Sequence, residues 1–153
     1  MTQLDEIVDI FDLLGDWDQR YQYLIELGEK LPAMPDRLKT DENKVLGCMS
    51  QVWITADMED GQVRFTGDSD TSVIKGILAL LISLCDGLTV EQIRNLNMDE
   101  IFQGLNLDEH LSPNRHVGVY AMFDLMKQKA VDAEKTTEVA WSFAMYQILY
   151  GRF

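Results

Sequence analysis

The sequence predicts one α+β domain, a small antiparallel three-stranded sheet covered by helices. Three observations carry this. A hairpin of alternating apolar residues stands between helical stretches, and a segment that is apolar nearly all round follows it directly. The chain's 153 residues also suffice for one compact core but not comfortably for two.

Leu4, Ile7, Val8, Phe11 and Leu14 recur at helical spacing and stop at Gly15. Asp16 then caps a second helix carrying Trp17, Tyr21, Leu24 and Ile25. Leu31-Pro32-Ala33-Met34-Pro35 ends that helix, and the polar residues 36–44 read as a loop. In residues 51–58, Val52, Ile54, Ala56 and Met58 alternate with Gln51, Trp53, Thr55 and Asp57. Glu59-Asp60-Gly61 supplies a turn before a second strand over 62–66. Residues 43–46 are expected to add a short third strand, and so small a sheet needs helices over it.

Gly67-Asp68-Ser69-Asp70 leads into residues 71–85, whose density of Ile, Leu, Val and Ala places a helix in the middle of the fold. Its apolar run falls well short of the roughly 18 residues of a membrane span. Asp68 and Asp70 precede it, where negative charge suits the helix dipole. Cys85 at its end reads as a packing residue. Two short helices are expected over 90–96, after a Thr89 cap, and over 99–105. Ser112-Pro113 then opens a longer one through Val117, Ala121, Met122, Leu125 and Met126. The domain is expected to occupy residues 1–130. Residues 131–153 form an extension with Val139, Trp141, Phe143, Tyr146, Ile148 and Leu149, too apolar for a solvated tail. Its Ala, Met and Glu content favours helix. The expectation is that it packs back onto its own domain, with a second copy or another partner as the alternative.

The formal net charge is −13, which argues against nucleic-acid binding, since no basic stripe is present to displace counterions. It suits a partner with a basic patch. Met1-Thr2-Gln3-Leu4-Asp5-Glu6 lacks the features of a secretory signal, so a cytoplasmic protein without membrane attachment is expected. Cys48 and Cys85 cannot build a disulfide framework and should remain thiols there. No Cys-x-x-Cys or His-Glu-x-x-His pair points to metal, and neither a phosphate loop nor a dinucleotide fingerprint is present. No metal or cofactor is expected.

The residue with the most chemical content is Cys48, in Val45-Leu46-Gly47-Cys48-Met49-Ser50-Gln51-Val52-Trp53. Gly47 can adopt backbone angles closed to other residues, which suits a turn presenting a thiol. Cys48 also shares strand parity with Val52 and Ile54, and on local pattern alone a small packing cysteine is the better reading. Arg115 would lie in the first turn of its helix, an unfavourable place for a cation. The bland account pairs it with Asp108 or Glu109. His110 and His116 leave open a cysteine-nucleophile enzyme built from Cys48 and either histidine, and a non-catalytic interaction module is a third reading.

Taken together, Asp16-Trp17, Tyr21, Leu24-Ile25-Glu26-Leu27-Gly28, Leu31-Pro32, Gly47-Cys48-Met49-Ser50-Gln51-Val52-Trp53, Gly67-Asp68-Ser69-Asp70, Lys75-Gly76 and Leu111-Ser112-Pro113-Asn114-Arg115 resemble the SufE family of sulfur acceptor proteins, over about residues 4–130. The resemblance implies a fold akin to iron-sulfur scaffold proteins. It also implies that Cys48 accepts persulfide sulfur from a cysteine desulfurase, stimulates that enzyme by clearing its persulfide, and hands sulfur to iron-sulfur cluster assembly or another thiol acceptor. Such a protein is a carrier and activator rather than a stand-alone enzyme, and holds no cofactor itself. Gly47, Ser50, Gln51, Asp68, Ser69, Asp70 and Arg115 would support the cysteine or bind the partner. A homodimer is compatible with this reading.

The chemistry agrees. Sulfur transfer is attack of a thiolate on a persulfide and depends on access. In so acidic a chain, Arg115 or a basic group of the desulfurase could favour the anion. Val117 departs from the family, which often has a polar residue there. Finally, the parity of Cys48 with Val52 suggests a sulfur turned inward in the free protein. A loop over 36–47, hinged at Gly47, is expected to swing out when the desulfurase binds.

Overall fold

The computed structural model describes residues 3–151. Met1 and Thr2 of the N-terminal reading, and Arg152 and Phe153 of the extension, lie outside the described residues. Helix α1 (Gln3–Leu14) and helix α2 (Trp17–Glu29) come first. They are joined at Gly15, whose φ is +76°, and Asp16 caps α2 by accepting the Gln19 N–H at 2.9 Å. Two single 3-10 turns, Asp36–Leu38 and Asp41–Asn43, follow.

Strands β1 (Val52–Glu59) and β2 (Gln62–Ser69) then form an antiparallel hairpin. Asp60 and Gly61 form its two-residue turn, both with positive φ, as the right-handed strand twist requires. The sheet among the described residues has these two strands rather than the three expected. Residues 43–46 contribute an isolated bridge, Lys44 to Trp53, with the Val45 N–H donating to the Val52 carbonyl at 2.8 Å. Leu46 and Gly47 turn away immediately afterwards, which leaves no length for a ladder.

Register puts Val52, Ile54, Ala56 and Met58 opposite Ser69, Gly67, Phe65 and Val63 on one face. Helix α3 (Ser72–Cys85) packs against β2 and also against α2. Ten of its residues are buried, and each fully buried Leu or Ile stabilises the fold by roughly 1.5–3 kcal/mol. The helix can sit this deep because α2 and α3 touch backbone to backbone. A Cβ on Gly76 would lie 2.1 Å from the Leu24 carbonyl oxygen, and one on Gly28 would lie 2.9 Å from the Gly76 nitrogen. At the far end of α3, Asp86 accepts the Phe65 N–H at 2.9 Å and pairs with Arg64 at 3.2 Å, fastening α3 to β2.

Helices α4 (Val90–Arg94), α5 (Met98–Gly104) and α6 (Leu107–His110) are short. Thr89 and Gln92 close a reciprocal capping box on α4. Helix α7 (Pro113–Tyr150) is 38 residues long. Proline at its first position and the Ser112 hydroxyl accepting the Arg115 N–H define its start. It buries Val119, Met122, Phe123, Met126 and Ala130 and packs against β1. Beyond that it departs from expectation. Residues 131–150 continue the same helix, but the side chains from 139 onward do not fold back; Trp141 and Phe143 are each 65 % exposed.

Candidate functional site around Cys48

Cys48 lies between a glycine turn and a fixed tie. Gly47 before it has φ +85° with open space around it, so the chain turns there without strain. After it, the Ser50 hydroxyl meets the Thr71 hydroxyl at 2.8 Å, and Gln51 is tied twice to Asp70. Its N–H donates to the Asp70 carboxylate at 3.0 Å, and its carbonyl accepts the Asp70 N–H at 3.2 Å. Cys48 itself is half-buried and packed on the edge of the core.

The reason the sulfur fits there is Gly118. A Cβ at that position of α7 would stand 3.0 Å from the Cys48 Sγ, closer than an ordinary carbon contact. Glycine inside a helix costs about 1 kcal/mol against alanine; here it makes room for a thiol.

Cys48 opens into a shallow depression of about 310 Å³. Ser50, Thr71 and Ile74 line one side, and Ser112, Asn114 and Arg115 from the start of α7 line the other. Arg115 is exposed, and among the described residues its guanidinium has no carboxylate partner, so the pairing with Asp108 or Glu109 is not made. Met49, which lines the depression, is 83 % exposed, and Leu46, two residues before Cys48 in the chain, is 82 % exposed.

The structure sorts the other expected residues. Ser50, Gln51 and Asp70 form the tie beside Cys48. Asp68 and Ser69 belong to β2 rather than to a loop, and they do different work. Ser69 is almost fully buried opposite Val52, and its hydroxyl accepts the Thr71 N–H at 3.3 Å. Asp68 points to the other sheet face, between Lys39 at 3.0 Å and Lys75 at 3.1 Å. Burial there opposes ionisation, yet the hydrogen bonds from Lys39, Lys75 and the Ser69 N–H prevail and hold its carboxyl below the usual range. The hydrogen bond to Asp68 in turn raises the Lys39 ammonium, against a smaller opposing effect of desolvation.

That clamp alters the expected loop motion. Lys39 is bound to Asp68, and Lys129 reaches the Asn43 side chain at 2.6 Å. Val45 is buried and bonded to Val52. The stretch 36–45 is therefore fastened at several points, and these ties end at Val45.

The histidines are engaged elsewhere. The His110 ring stacks on Trp17 at 3.9 Å, and the His116 ring packs against Phe102 at 4.5 Å and Tyr120 at 5.2 Å. Neither lines the Cys48 depression. Cys85 is fully buried, and desolvation pushes its thiol up to about 12. Among the described residues no group of three His, Cys, Asp or Glu could hold a metal ion, and no helix is long and apolar enough to cross a membrane. Thr71, Ile74 and Asn114 are part of the site without an individual signal in the sequence. Gly118 had one, a glycine within an otherwise good helix.

Comparison with known proteins bears on this arrangement. The model of the SufE family, described as an Fe-S metabolism associated domain, matches residues 5–130. An uncharacterized SufE-like protein of Rhizobium meliloti (strain 1021) is 41 % identical over 134 residues, covering 85 % of this chain and 96 % of the relative. Another, from Synechocystis sp. (strain PCC 6803), is 44 % identical over 128 residues, covering 84 % and 80 %. A solution structure of a hypothetical protein from Thermus thermophilus superposes with a TM-score of 0.72 over 88 % of this chain and 99 % of that one. At 22 % identity it speaks to the fold. With 126 consecutive residues matched by the family model and relatives aligned over most of their length, the chain belongs to the SufE family, whose domain is associated with Fe-S metabolism.

Proposed function

We propose that the protein accepts sulfur from the persulfide of a cysteine desulfurase onto Cys48 and passes it on for iron-sulfur cluster assembly. The observation that carries this reading is the environment of Cys48. A half-buried thiol between a glycine turn and a fixed tie opens into a depression lined by Arg115 and by the exposed Met49.

The transfer is a displacement at sulfur. The Cys48 thiolate attacks the outer sulfur of the enzyme's persulfide, a new S–S bond forms at Cys48, and the old one breaks to release the enzyme cysteine as a thiolate. No external oxidant or reductant is needed, because the sulfane sulfur carries the oxidation state with it. A second thiolate then removes the sulfur by the same step. Arg115 supplies positive charge beside the anionic sulfur. The exposed Met49 and the neighbouring Leu46 supply apolar surface for a docking enzyme.

The test is intact-mass measurement after incubation with a desulfurase and free cysteine. The wild-type chain should gain sulfur on Cys48, and Cys48→Ser should gain none and fail to stimulate desulfurase turnover. Replacing His110 and His116 together should leave acceptance intact. A C48S protein that stimulates as well as wild type overturns the proposal.

A further inference from the structure

Among the described residues Arg115 is the only cation lining the Cys48 depression, yet little in its own helix fixes it there. The first buried residue of α7 is Gly118, and Pro113, Asn114 and Arg115 before it are exposed. The N-terminal end of a helix is unfavourable for a cation, and no carboxylate holds the guanidinium. Helix ends fray, so the place of Arg115 depends on what fastens the chain just before α7.

That fastening comes from α2. The Tyr21 hydroxyl donates to the His110 carbonyl at 2.5 Å, 89 residues away in sequence. Beside this bond the Trp17 ring stacks on the His110 ring, with 3.9 Å between centroids and 20° between planes. Trp17 is itself held edge-on by Phe11, and the Arg20 guanidinium lies over its ring at 5.2 Å. The end of α6 therefore sits against a braced corner of the scaffold. Helix α6 has only four residues, a single turn that cannot hold its own shape. One residue, the buried Leu111, separates His110 from Ser112, whose hydroxyl accepts the Arg115 N–H at 3.4 Å.

We infer that Tyr21 is a positioning residue for Arg115: its bond to the His110 main chain sets where α7 begins, and with it where the guanidinium stands relative to the Cys48 sulfur. Tyr21 does not line the depression and acts only through this chain of contacts. The acceptor is a carbonyl, so the bond survives replacement of the histidine ring. The inference rests on the reading of Arg115 as the positive charge beside an anionic sulfur.

Two alkylating reagents that differ in charge test this on the full chain without a desulfurase. Iodoacetate is an anion and iodoacetamide is neutral, and both meet the same Cys48 thiolate, so the ratio of their labelling rates reads positive charge beside the sulfur. A change that merely uncovers the thiol speeds both reagents and leaves the ratio in place. Tyr21→Phe keeps the ring and its contacts and removes only the hydroxyl. Arg115→Met should lower the ratio roughly threefold, Tyr21→Phe roughly twofold, and the double variant no further than Arg115→Met alone. A Tyr21→Phe ratio equal to wild type overturns the inference, as does a double variant in which the two losses multiply, or an Arg115→Met ratio that does not fall. Sulfur acceptance from a desulfurase is measured on the same proteins by intact mass. Unmoved ratios in a chain that accepts sulfur overturn this inference alone, and the expected ratios in a chain that accepts none overturn the transfer reading alone.

Discussion

Gly118→Ala probes the fit between α7 and the thiol directly. The added methyl would stand 3.0 Å from the Cys48 Sγ and 3.5 Å from its Cβ, whereas carbon contacts settle at about 3.5–4.0 Å. Something must yield by about half an ångström. Helix α7 is held by Val119, Met122 and Phe123, all buried, while Gly47 has open space around it. The cysteine is the part that moves. If the packed position loses about 1 kcal/mol, the low end of overpacking costs, the population with an accessible sulfur rises roughly fivefold. The alanine recovers about 1 kcal/mol of helix propensity, so global stability should change little. The assay is the rate of iodoacetamide labelling of Cys48, followed by peptide mass, with Cys85 as the internal reference. Buried and raised to about 12, Cys85 should label only through global unfolding. Faster Cys48 labelling with Cys85 unchanged is the expected result. An unchanged or slower Cys48 rate refutes the reasoning, and parallel acceleration of both thiols would show that the fold had loosened instead.

Two further predictions concern the scaffold. Asp68→Asn removes the charge between Lys39 and Lys75 and should cost about 1 kcal/mol at neutral pH, the scale of partly solvated ion pairs. Because the folded carboxyl titrates below its unfolded value, its contribution is complete above the unfolded pKa and lost as pH falls through the folded one. Urea unfolding should therefore separate the two proteins at about pH 7 and bring them together near pH 2, and a constant difference across that range would contradict the clamp. Gly76→Ala places a methyl 2.1 Å from the Leu24 carbonyl oxygen and should lower stability by about 3 kcal/mol or more, since neither helix backbone can yield cheaply. An unchanged urea midpoint would mean that α2 and α3 are not in backbone contact.

Periodicity made most of the fold legible. The buried stripe of α1, the Asp16 and Ser112 caps, the Asp60-Gly61 turn and the deep position of α3 all follow from local pattern. The third strand did not materialise because strand length depends on where the chain leaves the sheet, and the turn at Gly47 ends the pairing after one bridge. The candidate site is marked in the sequence by a cysteine beside a glycine, but not as a cavity. Arg115 is 67 residues from Cys48 in sequence, and only the packing of α7 on β1 brings them to one depression. Asp68 shows the converse, since within β2 it faces away from the side of Ser69, while Asp70, just past the strand's end, ties Gln51. The outward course of the α7 tip was not legible either, because an apolar segment announces that it wants cover without naming the surface.

The tie at Ser50 and Gln51 sets how far sulfur can travel. Val45 is anchored on one side and Ser50 on the other, which leaves residues 46–49 as the span between the two ties. Four residues, at about 3.5 Å each when extended, must leave one fixed point and return to another, which limits the excursion of the thiol to on the order of 7 Å. A long prosthetic arm can visit two enzymes docked at once. This cysteine has no such reach, so donor and recipient must take turns at one doorway, and an excess of either should slow delivery by keeping the other out.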